Sequence, residues 1–289
     1  QDESDESKAE TSKKEEKEQD PPEPVTKVIE GPSFTYRVTA ETISLPKKDD
    51  PAEDRAQFFS ISYEVESDEN RPIAFCFNGG PGSSSVWLHL GMLGPKRVQL
   101  DEAGLGTTLE APPYHVVENE YSILEFCDLV LIDPVSTGFS RAEEKDDAKD
   151  FHGLEGDIES VGAFIHQFCS KHGRWDSAKY LIGESYGGIR AAGLASHLQS
   201  RYGMYLNGLV LVSALVDFGT IRFNKGNDLP YVFFLPSYAA TAKFHGEIEG
   251  ESPEAVFQEA WDFAHGDYLG ALMAGNTLSE ERRTEVVAR

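Results

Sequence analysis

Residues 180–198 read YLIGESYGGIRAAGLASHL. A short apolar run ends at Gly183, Ser185 stands between Gly183 and Gly187, and a helical pattern rich in small residues follows. A G-x-S-x-G pentapeptide alone is weak, because chance supplies it in chains rich in Gly and Ser. It becomes specific when a strand runs directly into it and a helix directly out of it, since the sharp turn then presents the serine hydroxyl above the sheet. The pattern predicts both, a strand over 179–182 and a helix over 185–199. Side chains at the flanking glycines would collide with neighbouring elements, and Gly187, Gly188, Ala191, Ala192 and Ala195 keep the helix close to the strands. A Gly-rich turn without chemistry, or a phosphate-binding turn, competes with the nucleophile reading.

Outward from this stretch the same rhythm recurs. An apolar strand over 73–77 ends in NGGPG (residues 78–82), with helix-compatible residues 84–93 beyond, and a second buried strand covers 128–132. Over 152–170, Leu154, Ile158, Val161, Ile165 and Phe168 recur at spacings of four and three, one apolar stripe of a helix lying on a sheet. Residues 208–216 read as a fourth, buried strand. Such alternation implies parallel strands joined by right-handed crossovers, hence an α/β sheet with helices on both faces. Residues 33–45 and 57–65 read as a hairpin preceding it.

The remaining segments set the domain plan. Residues 1–24 hold ten acids and four bases, with Ala9 the sole apolar residue, and cannot bury enough surface to offset their ordering entropy. The plan is a disordered acidic tail over 1–30, an α/β core over 31–217 and a cap or insertion segment over 218–289, which carries Pro230, Pro236 and short helical patterns. The formal charge of −24 argues against nucleic-acid or anionic-membrane partners. No apolar run approaches the ~18 residues of a membrane span. Cys76, Cys127 and Cys169 leave at least one thiol unpaired, against a disulfide scaffold. No signal peptide is visible in a chain that begins at Gln1; a secreted or periplasmic location is expected. His166, Cys169 and His172 recur every three residues, but a rotation of ~120° across them converges poorly on one ion. Neither a metal nor another cofactor is expected.

The loop over 78–85 (NGGPGSSS) gives Ser185 a chemical context. Acyl transfer passes through an oxyanion that needs two preorganised N–H donors, each worth on the order of 3 kcal/mol. One is the residue after the nucleophile, Tyr186; the other comes from a Gly-rich loop after an earlier strand, at Gly79–Gly80. A simple Gly-Pro turn would explain either motif alone.

With LGP at 93–95, LVLIDPVSTGFS at 129–140 and GESYGG at 183–188, these motifs resemble the serine carboxypeptidase family over about residues 72–217 and, less closely, through 218–289. The bacterial branch looks most similar, through RPIAFCFNGGPGSSSVWLHLGMLGP and GNDLPYVFFLPSYAATA. The resemblance implies an α/β-hydrolase fold with a helical insertion, and removal of C-terminal residues from peptides by a Ser-Asp-His triad. Carried over by position, Ser185 is the nucleophile and the backbones of Gly80 and Tyr186 form the oxyanion hole. Asn78 and Glu184, beside Gly79, bind the free C-terminal carboxylate of a peptide substrate. A glutamate does so only when protonated, which favours activity at acidic pH.

The chain also departs from that pattern. Cys76 replaces a frequent Trp, Met92 stands in a stretch before LGP that often carries an acid, and Ser83 replaces a cysteine. An esterase or acyltransferase of the same fold, and an inactive peptide-binding scaffold, are the alternatives. In this fold the chain order is serine, acid, histidine, the last two after the seventh and eighth strands; the strand at 208–216 counts as the sixth. His197 lies about 18 Å along the helix from Ser185 and cannot be the base. His245, His265 and Asp217 are in-chain candidates, each with a competing surface or capping role, and Asp133 reads as structural or pocket-lining. The triad acid and histidine are therefore expected beyond Arg289, in a C-terminally truncated chain that alone would be inactive.

Overall fold

The computed structural model describes residues 21–47, 49–67, 69–100 and 112–289. These form ten strands: β1 (Val25–Glu30), β2 (Thr35–Pro46), β3 (Asp54–Val65), β4 (Ile73–Phe77), β5 (Lys96–Val98), β6 (Val116–Glu118), β7 (Asp128–Ile132), β8 (Arg141–Ala142), β9 (Lys179–Glu184) and β10 (Gly208–Val212). The main sheet runs β1-β2-β3-β7-β4-β9-β10, with β8 beside β3, while β5 and β6 form a separate ribbon. The pairs from β1 to β7 are antiparallel, and β7, β4, β9 and β10 run parallel. This mixed sheet, covered by helices, is the α/β-hydrolase fold that the motifs implied.

The central strands form because, apart from Asp128 at the start of β7, both of their faces are apolar. All five residues of β4 and of β7 are buried. Ile73, Phe75, Phe77, Val130 and Ile132 pack in one cluster with Phe164, Ile165 and Phe168 of α2 (Leu154–Lys171) and Leu194 and Leu198 of α3 (Tyr186–Tyr202). Ala74, Cys76, Leu129 and Leu131 point to the opposite face, against Leu88, Leu93 and Leu124. The short helix α1 (Val86–Leu88) continues into a π-turn over His89–Leu93.

Two edges differ from expectation. The acidic tail does not extend to residue 30, because Val25–Glu30 pairs along β2 from Val25↔Ala40 to Glu30↔Thr35. Its β-branched residues suit a strand, although Ile29 is its sole partly buried side chain; the expected tail over 1–20 lies outside the described residues. The strand expected over 208–216 ends at Val212, and Ser213 turns the chain at φ 44°. Nor is it buried: among the described residues β10 pairs only with β9, and Leu209, Val210 and Leu211 are 39%, 46% and 46% exposed.

The chain divides into two compact units, residues 1–214 and 215–289. The second contains helices α4 (Leu229–Phe244), α5 (Pro253–Phe263), α6 (Leu269–Ala274) and α7 (Glu280–Ala288) and no strand among its described residues. Ser252 and Ser279 cap α5 and α7 by accepting from Ala255 N and Arg282 N.

The end of α2 is tied to the sheet by a buried acid. Glu41 of β2, its side chain 1% exposed, accepts from Lys171 Nζ at 2.7 Å and meets His172 Nε2 at 2.5 Å. Burial pushes the Glu41 carboxyl up, but the hydrogen bonds from His172 and Lys171 outweigh it and hold the group below its ordinary 4.5. A carboxylate lowered on folding contributes stability above its unfolded pKa, and that contribution is lost as pH falls through the folded value. Glu41→Ala is therefore expected to cost about 2 kcal/mol at pH 7 and to flatten the acid limb of the stability profile below pH 4.5. Urea unfolding across pH tests this; an unchanged acid limb would assign the pH dependence elsewhere.

Candidate active site

The parallel strands β4 and β9 are neighbours, in register from Ile73↔Lys179 to Phe77↔Gly183. The turns that leave their carboxyl ends therefore lie side by side, where open α/β sheets build binding sites. One turn is residues 78–82 and the other is Ser185.

Ser185 has φ 57° and ψ −122°, a conformation that L residues rarely adopt. It is held by backbone bonds, Ser185 N donating to Val212 O at 2.9 Å and Gly188 N to Ser185 O at 2.9 Å. The turn is tight enough that a Cβ on Gly183 would come within 2.1 Å of Gly187 O. Half-exposed, with its Oγ making no hydrogen bond among the described residues, the serine meets the geometric requirement of an accessible nucleophile.

The two glycine-rich turns touch. A Cβ on Gly79 would lie 2.5 Å from Tyr186 N and 2.7 Å from Glu184 O, so only glycine permits this approach. Gly80 follows at φ 110°, exposed. Among the described residues neither the Gly80 nor the Tyr186 N–H donates a hydrogen bond. The two touching turns thus carry two donors not engaged among the described residues, and an oxyanion requires two such groups.

Asn78 is fixed from three sides. Its Oδ1 accepts from Leu88 N at 3.0 Å, its Nδ2 donates to Glu184 Oε2 at 3.1 Å, and its carbonyl accepts from Arg190 Nη1 at 2.7 Å. Asn78 and Glu184, placed together by the sequence reading, are hydrogen-bonded partners next to Ser185. Asp133, at the end of β7, accepts from Ser85 N at 2.9 Å and Phe139 N at 3.4 Å, bracing the loop that follows Gly80. Burial pushes its carboxyl up against those backbone bonds.

Arg190 and Asp157 were missed by motif reading. Arg190, 1% exposed, donates through Nε to both Asp157 oxygens at 3.0 and 2.8 Å while its Nη1 holds Asn78 O. Its guanidinium lies 5.2 Å from the Phe77 ring and 5.3 Å from the Tyr186 ring. Burial, and then the charge of Asp157, pushes the Tyr186 phenol up to about 12, so it stays neutral. The available signal was register: Arg190 falls one and two turns before the buried Leu194 and Leu198, and Asp157 one turn before Val161.

The other candidates have partners of their own. His166 stacks on Tyr202 at 4.4 Å, Cys169 is buried in the core, and His172 is bound to Glu41. His89 meets Tyr63 Oη at 2.6 Å, and burial lowers its imidazole to about 4. His197 packs on Gly162 and Tyr202. In the second unit, Asp217 caps its own turn by accepting from Gly219 N at 2.7 Å, His245 ends α4, and His265 bonds Trp261 O at 2.9 Å. Cys76 is fully buried, whereas Met92 is 41% exposed.

Residues 47–223, more than half the chain, match the family model described as serine carboxypeptidase. The lysosomal protective protein of Mus musculus is 30% identical over 199 residues, covering 68% of this chain and 36% of its own length. Carboxypeptidase Y of Schizosaccharomyces pombe is 27% identical over 227 residues, covering 76% of this chain and 20% of its own. The chain thus spans about a third or less of these curated relatives. Among solved structures, KEX1(delta)p, a prohormone-processing carboxypeptidase from Saccharomyces cerevisiae, aligns with a TM-score of 0.51 at 19% identity, over 79% of this chain and 53% of that one.

Proposed function

Because the chain belongs to the serine carboxypeptidase family, we propose that it carries the acyl-transfer half of a serine-type carboxypeptidase, with Ser185 attacking the carbonyl before the C-terminal residue of a peptide. The observation that carries this reading is the contact of Gly79 with Tyr186 N beside the strained Ser185. As Ser185 Oγ bonds to the carbonyl carbon, the carbonyl oxygen takes the negative charge, and the N–H groups of Gly80 and Tyr186 bind it. The C–N bond then breaks, the C-terminal amino acid leaves with a proton, and water hydrolyses the acyl-enzyme. Those proton transfers need a base and an acid, and among the described residues no histidine or carboxylate hydrogen-bonds Ser185.

Glu184 and Asn78 supply the preference for a free C-terminus. Two carboxyl groups share a hydrogen bond only with a proton between them. Amidating the C-terminus of a test peptide removes that carboxylate and is expected to lower kcat/KM about 10–100-fold, the worth of a charge-assisted hydrogen bond. Equal rates for the two peptides would remove the carboxypeptidase assignment and leave an esterase or acyltransferase, the reading favoured by the absence of an acid at Met92.

A further inference from the structure

The end of α3 remote from Ser185 borders a cavity of about 460 Å³ that lies wholly within the first unit. Arg201, on the last turn of α3, stands about 24 Å along the helix axis from Ser185, so the cavity is separate from the acyl-transfer site. Its volume falls in the range of small-molecule sites.

The charge of its lining runs against that of the chain. In a protein of formal charge −24, Lys47, Arg55 and Arg201 all line this cavity, facing one described carboxylate, Glu159 of α2. Lys47 is already engaged, by Glu53 at 2.8 Å and Glu144 at 3.6 Å. The two guanidiniums are not: Arg55 of β3 lies over the Phe151 ring at 5.0 Å, and among the described residues neither Arg55 nor Arg201 pairs with a carboxylate. Unpaired guanidiniums in a cavity are forks for a carboxylate or phosphate.

The rest of the wall is mainly apolar and aromatic, with Gln167 and His197 as its further polar members. His166 and Tyr202 stack at 4.4 Å with 22° between their planes, and Leu45, Pro46 and Ala163 lie beside them. Such surfaces favour a planar ring over a hydrated inorganic ion. We propose that this cavity binds a small aromatic anion, its ring against the His166–Tyr202 pair and its carboxylate or phosphate on Arg201 and Arg55.

Calorimetric titration of the intact protein with adenosine 5′-monophosphate, benzoate, adenosine and inorganic phosphate tests this. At least one aromatic anion is expected to bind with Kd below about 1 mM, and the stronger of the two identifies a phosphate or a carboxylate as the natural group. Adenosine and inorganic phosphate, each lacking half of the recognition, are expected to bind about tenfold more weakly or not at all. Arg201→Gln, at an exposed helix end, is expected to keep the circular-dichroism spectrum and melting temperature while weakening binding about 10–100-fold. Absence of saturable binding by both aromatic anions overturns the proposal, as does phosphate binding equal to theirs or an unchanged affinity in a folded Arg201→Gln protein. Fluorophosphonate labelling of Ser185, read in parallel, is expected to be unaffected by Arg201→Gln.

Discussion

Alanine in place of Ser185 abolishes covalent labelling by a fluorophosphonate and lowers peptide hydrolysis by the intact protein on the order of 10⁶-fold. The size follows from the role: a nucleophile has no substitute, and members of a catalytic set act as a unit. The fold, by contrast, is expected to be indifferent. The bonds that hold residue 185 at φ 57° are backbone bonds to Val212 O and from Gly188 N, which alanine keeps. Ser185 Oγ makes no hydrogen bond among the described residues, so its removal leaves no partner unsatisfied. The melting temperature is therefore expected to move by less than about 2 °C. Mass spectrometry of the labelled protein and a rate assay decide the matter. A labelled Ser185→Ala protein, or one that keeps its peptidase rate, would place the nucleophile elsewhere.

What could be read from residues alone depended on how many neighbours a position has. β4 and β7 are covered on both faces, so β4, and β7 after Asp128, are unbroken apolar runs with one interpretation. The turn at Ser185 was legible because Gly183, Gly187 and Gly79 meet backbone atoms at distances no side chain tolerates, and steric demands of that kind leave motifs. Edges leave weaker marks. β1 has one inward side chain, Ile29, and adjoins an acidic tract whose composition masks it. β10 is as apolar as a central strand yet has one partner among the described residues, because hydropathy does not record how many strands flank a run. The pair Arg190–Asp157 was hidden for a related reason. Charged residues on helices normally face water, and only their register with Leu194 and Val161 places these two inside.

That buried pair carries the second large effect. Arg190 binds Asp157 of α2, the carbonyl of Asn78 and the faces of Phe77 and Tyr186, so it joins both helices to the oxyanion loop. Arg190→Met leaves the Asp157 carboxylate buried without a counter-charge, which is expected to cost about 3–5 kcal/mol and to lower the melting temperature by roughly 6–20 °C. That loss alone would not separate a structural tie from a positioning residue. Arg190→Met/Asp157→Leu does, because replacing both charges with apolar groups restores most of the stability of a buried pair. It does not restore the donor to Asn78 O, and the loop that presents Gly80 N then has one anchor fewer. The double variant is therefore expected to melt near the unmodified protein yet to be labelled by fluorophosphonate about 10–100-fold more slowly, since a donor displaced from the oxyanion loses most of its worth. Arg190→Lys separates charge from geometry: it keeps the cation but cannot reach Asp157 and Asn78 at once with one point charge. It is expected to fold and to share the slow labelling. Full recovery of both stability and labelling in the double variant would reduce Arg190 to a packing element and leave Asn78 held by Leu88 N and Glu184 alone.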